Sequence, residues 1–234
     1  QDRDRLWRQR KFLKWQRPPD LLEKVTAGTG NIGATVANNA RNASTINQRL
    51  LRAGEVSSSG IFVVSGGGVS QRFFGRFFRS SLATIQEAQR LKSEGRIPAD
   101  TKIFVAWNPN DPRDTPERVL EKIRAGAQGI ITQPPIKLPQ FKESLRLIKE
   151  QTPDVTVLAG VPIITSAENS AVWMKLLFGL RWKKNKSARA YVNDFQTQQK
   201  SQSAAEFAKF RIQKSLWLIE ELEKNVPGVD GFHL

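Results

Sequence analysis

The chain has 234 residues, 25% of them charged, with no Cys, a single His, and 37 Lys plus Arg against 22 Asp plus Glu, a formal net charge of +15. That length fills one large domain or two small ones, each with a core, and the ordinary charged fraction argues against bulk disorder. The missing thiols exclude disulfides, thiolate metal sites and cysteine nucleophiles, and His233 alone leaves almost no material for a Ser-His-Asp triad or a two-histidine metal site.

A pI near 10.5 favours anionic partners: an acidic protein surface, anionic lipid headgroups, phosphorylated cofactors or RNA. No apolar run approaches the roughly 20 residues needed to span a bilayer, so no transmembrane segment is expected. The charged first 20 residues also argue against a secretory signal. The expected setting is soluble or peripheral, in the cytoplasm or in an organellar matrix or stroma after loss of a targeting segment. The first residue is Gln rather than Met, which fits a processed or incomplete chain.

Residues 1–30 read as a basic, aromatic arm and linker. Within the first 20, five Arg and two Lys interleave with Leu6, Trp7, Phe12, Leu13 and Trp15, and Pro18-Pro19 then forms a stiff extended joint. Arg3, Trp7, Arg10 and Trp15 suit either a tail packed on its own domain or an arm docked on another molecule.

Residues 31–234 alternate apolar runs with helical patterns. IGATVA (32–37) precedes a helix from Ser44 to Ala53 with Ile46, Leu50 and Leu51 on one face. GIFVVS (60–65) ends in Gly66-Gly67-Gly68, and a helix over 82–94 leads to the strand KIFVAW (102–107). The turn at Asn108-Pro109-Asn110-Asp111-Pro112 ends that strand, and Thr115-Pro116-Glu117 has the form of an N-cap followed by proline at the first helical position. Helix 116–125 then leads to GIIT (129–132), and helix 139–150 to VTVLAG (155–160) and VPIITS (161–166). A helix over 167–178, a basic loop, a polar stretch, a long helix ending near Lys224 and a last strand in VPGVDGFHL complete the order. Apolar strands separated by helices indicate βαβ units and a parallel sheet, either a (β/α) barrel or a doubly wound sheet.

In such folds the loops after the strands' carboxyl ends carry function. Here they are rich in Asn, Gly and Pro and hold no carboxylate before Asp111, which is poor material for acid–base catalysis but suits amide and backbone contacts to a polar ligand.

The segments NNARN, FVVSGGG, AWNPN, EKIRAGAQGIITQPPI, VLAGVPIITSAENS and PGVDGFHL, in this order, resemble the flavin-dependent methylenetetrahydrofolate reductase family, a (β/α)8 barrel. The likeness runs from about residue 31 to residue 234 and is most specific over Lys122–Pro134 and 158–163. It implies FAD held by Ser65, Gly66, Gly67, Asn108 and Lys122, the lysine on flavin phosphate, with Gln133 contacting the folate pterin. Asn42 matches an asparagine of bacterial members.

The departures are as informative. Gly67 stands where the family places an acidic residue, removing a charge that tunes the flavin. Thr35 or a neighbour falls where the family often has His. The first strands, with the family's catalytic glutamate, have no counterpart, and about six strands are visible where a closed barrel needs eight. The resemblance therefore implies a barrel missing its first strands, with no catalytic residue assigned and FAD lost or retained.

Gln71–Arg79 adds four Phe and three Arg. Arg72, Phe73, Phe74, Arg76, Phe77 and Phe78 suit either packing beneath the barrel rim or an exposed interface patch. With the arm and the loop holding Lys183 and Lys184, they make three basic or basic-aromatic surfaces. No helix-turn-helix, RRM, KH or zinc motif accompanies them. Three readings follow: a catalytically degraded accessory subunit of a larger assembly, an active FAD-dependent reductase transferring hydride from NAD(P)H to methylenetetrahydrofolate, and an RNA-associated organellar protein.

Overall fold

The computed structural model describes residues 33–37, 43–56, 60–64 and 80–233. The arm, Asn42, Ser65, Gly66, Gly67 and the Phe-Arg run at 71–79 lie outside the described residues. The chain divides into two compact units between Ile103 and Phe104.

In the first unit, β1 (Gly33–Ala37) and β2 (Gly60–Val64) pair in parallel, Gly33 opposite Gly60 and Ala37 opposite Val64. They are linked through α1 (Ala43–Val56). Ile46, Leu50 and Ala53 form the buried stripe of α1, while Leu51, expected on that face, is only half-buried. The true spacing of four and then three residues follows a straight helix. Helix α2 (Ser81–Ser93) starts where the Ser80 hydroxyl accepts from Ala83 N and buries Ile85, Ala88 and Leu91. Its Lys92 reaches forward to donate to Thr101 O at 2.6 Å.

In the second unit the parallel order is β3 (Lys102–Trp107), β4 (Gly129–Thr132), β5 (Thr156–Gly160) and β6 (Gly231–His233), the unit boundary falling inside β3. Ile130, Val157 and Ala159 are buried strand positions, as expected of a sheet covered on its faces. Helix α3 (Pro116–Arg124) links β3 to β4, and α4 (Leu138–Gln151) links β4 to β5. Thr115 is the N-cap of α3 as its sequence suggests, but its hydroxyl caps no helix N–H.

After β5, Val161 N donates to His233 O, and Pro162, which has no N–H to give, ends the ladder, so 161–165 form a loop after that strand's carboxyl end. Ser166 then caps α5 (Ala167–Phe178) by accepting from Asn169 N. One sequence expectation is corrected in this unit: the polar stretch after the basic loop is helical. A 3-10 turn (Trp182–Lys184) precedes α6 (Lys186–Ser201), whose buried Ala188, Val192 and Phe195 recur at helical spacing. Helix α7 (Ala204–Asn225) then starts from a capping box in which Ser203 and Glu206 satisfy each other's backbone N–H.

Both units are thus α/β with parallel strands, compatible with a barrel-like (β/α) arrangement. In the second unit β6 lies at the end of the strand order. No helix among the described residues is long and apolar enough to cross a membrane.

Candidate functional site

The candidate site lies at the carboxyl ends of β3 and β4. Strand β3 ends at Trp107, whose indole is buried and donates from Nε1 to Asp114 O at 2.9 Å. The intervening residues fold back in two short turns, with Asp111 N on Asn108 O and Asp114 N on Asp111 O. This return brings the Asp114 carboxylate to Asn108, where Oδ2 accepts the backbone N–H at 2.7 Å. Its other oxygen faces Lys122 Nζ at 3.3 Å.

Asn108 is a junction. Its Oδ1 accepts from Asn110 N and Nδ2, and its own Nδ2 donates to Leu177 O at the end of α5. Asn110, only 4% exposed, donates from Nδ2 to Pro134 O at 2.8 Å and accepts Ile136 N on Oδ1 at 3.0 Å. One buried carboxamide therefore holds the loop after β4 against the loop after β3. A carboxamide suits the place because it supplies donors and an acceptor to backbone groups without a charge to desolvate.

The β4 end is fixed equally closely. Gln133 N donates to Trp107 O at 2.7 Å, while the Gln133 side chain is exposed. Thr132 Oγ1 accepts Gly160 N at 3.1 Å in a buried bond. Gly160 is required here by close approach: a Cβ on it would stand 2.3 Å from Thr132 O and 3.0 Å from Pro134 N.

Lys122 lies on α3 and sends its ammonium back under β3, donating to Ala106 O at 2.9 Å as well as to Asp114. Its side chain is 13% exposed. Two of its three N–H donors are used and its charge faces a carboxylate, so a ligand phosphate would find one donor on an already compensated cation. Of the residues that the resemblance assigns to flavin, Asn108 and Lys122 are the described ones. Both are held in bonds within the protein, and on that geometry neither fits a flavin phosphate clamp.

The nearby titratable groups offer little acid–base chemistry. Asp111 is held below the usual carboxylate range, first by the hydrogen bond from the Arg113 side chain and then by its backbone N–H and charge. It is an ionised acceptor near neutrality, unsuited to donating a proton. Among the described residues, no group of three or more His, Asp or Glu is placed to hold a metal ion.

Lys183 and Lys184 lie elsewhere, exposed on the 3-10 turn between α5 and α6. Lys183 Nζ stands 5.9 Å from the Trp182 ring centroid. The structure thus brings Asn108, Lys122 and the Gln133 backbone to one end of the sheet and leaves the two lysines apart from them. Asn110 and Asp114, which bind that end together, were not among the candidates. The signal available for them was the turn-rich composition of 108–114, which does not say which carboxylate returns to the strand end. Compared with known proteins, the chain matches no family model and no curated sequence.

Proposed function

We propose that the chain is a degraded, open (β/α)-barrel protein of the methylenetetrahydrofolate reductase type, serving as an accessory subunit of a larger assembly. In this reading the strand ends persist as architecture, and the arm at 1–17 and the Phe-Arg segment at 71–79 dock on an acidic protein surface. The ordered series of loop segments supports the family likeness. The observation that carries the loss of catalysis is Lys122: its ammonium is committed to Ala106 O and Asp114. Gly67, where the family has an acid, points the same way.

The second reading is an active FAD-dependent reductase, favoured by the exposed Gln133 side chain at the end of β4. The visible spectrum of the natively purified protein separates the two. The accessory reading expects no flavin absorbance near about 450 nm and no stoichiometric flavin released on denaturation. Bound flavin with hydride transfer to a folate overturns it. A large complex that loses this chain when residues 1–17 are deleted supports the docking role, and a complex indifferent to that deletion removes the arm from it.

A further inference from the structure

The residues between Glu168 and Asp194 contain six cations (Lys175, Arg181, Lys183, Lys184, Lys186 and Arg189) and no acid. All six are exposed, and none forms an ion pair among the described residues. Elsewhere in the second unit, by contrast, Arg113, Lys122, Arg146, Lys149 and Lys214 each meet a carboxylate, so the edge is distinguished by its density of cations with no acid among them.

The same stretch exposes aliphatic surface. Val172 is 54% exposed, Leu176 65% and Leu180 73%. Val172, Lys175 and Leu176 share one face of α5 by their spacing of three and four residues. Gly179, at φ 74, ends the helix and turns the chain outward, and a Cβ placed on it would meet nothing within 4 Å. Beneath this prominence Met174, Leu177, Ala188 and Val192 are buried, with Trp182 and Tyr191 packed against them. The display is therefore anchored on a core.

Helix electrostatics do not explain the charges. The end of α5 accommodates Lys175 and Arg181, because cations are favoured near a C-terminus. Lys186 and Arg189, however, sit in the first turn and a quarter of α6, where the dipole disfavours a cation and the first turn holds no acid to offset it. A local electrostatic rule is broken here without a compensating ion pair among the described residues.

We propose that this edge, from Val172 to Arg189, docks on an anionic lipid surface. Lysine outnumbers arginine four to two, and the exposed apolar groups are aliphatic. Protein interfaces are depleted in lysine and enriched in aromatics and arginine. Nucleic acid gives no reason to expose leucine. A lysine fringe around leucines, with the half-buried Trp182 beside them, is the composition that inserts shallowly among headgroups while the cations neutralise them. The other exposed apolar face, Ile212, Leu216 and Trp217 on α7, is flanked by both Lys214 and Glu220, so it names no occupant. The inference is independent of the flavin question. It adds a membrane-facing edge to the protein-docking segments proposed above.

The test is sedimentation of the full chain with vesicles of phosphatidylcholine alone or with about 30% phosphatidylserine. Binding is expected only to the anionic vesicles and should weaken as salt rises. Lys183→Ala with Lys184→Ala is expected to lower partitioning about 30-fold, from a several-fold contribution per lysine. Leu176→Ser with Leu180→Ser should lower it while leaving the salt dependence unchanged. Lys142→Ala with Lys209→Ala, two exposed lysines elsewhere in the unit, should change it little, and matching far-UV melting curves confirm that each variant is folded. Failure to bind, full binding by the lysine or leucine pair, or an equal loss in the control pair overturns the proposal. So does stronger binding to polyglutamate or single-stranded RNA than to the vesicles.

Discussion

The ends of β3 and β4 and the edge from Val172 to Arg189 spend polar residues in opposite ways. At the strand ends Asn108 and Asn110 bond to backbone groups, Asp114 takes the Asn108 N–H, and Lys122 is compensated by Asp114. Along the edge six cations have no carboxylate partner among the described residues. Satisfied polar groups in a low-dielectric place specify a structure, whereas uncompensated like charges on a surface oppose it slightly and gain free energy only when something anionic arrives. The contrast teaches that polar residues at the expected position of a site can be scaffold, while the more reactive surface lies elsewhere.

Stability measurements can break this comparison. The largest effect is expected for Asn110→Ala, which strands Pro134 O and Ile136 N in a buried place and should cost about 3 kcal/mol in urea unfolding. A cost below about 1 kcal/mol would mean that water or a ligand normally serves these groups. Gly160→Ala should cost about 2 kcal/mol or more, because its new methyl meets a backbone carbonyl that cannot swing aside. Lys122→Ala leaves the Asp114 carboxylate without its cation and should cost about 1–2 kcal/mol; an unchanged midpoint would return Lys122 to the pool of ligand-binding groups. The smallest effect sharpens the other side. Lys186→Glu replaces a cation at the start of α6 by an acid that the dipole favours, and should stabilise the protein by about 0.5 kcal/mol in thermal melts. A destabilisation there would show that the edge's charges serve the fold after all.

Much of the fold was legible because it is written in local pattern. GIFVV, KIFVAW and GIIT are continuous apolar runs of strand length, and Pro116 can begin a helix but hardly sit inside one. Helix α6 was not legible in this way. Its buried stripe is three residues in sixteen, and one of them is Ala188, so the segment reads as polar. VPIITS has strand composition, but Pro162 denies it a ladder, and the segment is the loop after β5. At the site, the family resemblance implied that Asn108 and Lys122 face a ligand. What fixes their roles is a carboxylate six residues beyond one and eight before the other, brought in by two turns whose closure no periodicity reports. Asn110 joins segments 24 residues apart, a contact that exists only once β3 and β4 have paired.

The bond from Asn108 Nδ2 to Leu177 O has a mechanical consequence. A carbonyl in the last turn of a helix lacks an intrahelical donor, and here the donor comes from the exit of β3. The exposed Leu176–Leu180 corner is thereby tied to the exit of β3 by an amide hydrogen bond. A load applied to that corner would be felt first at Asn108, and through its carbonyl oxygen at Asn110 and the β4 loop.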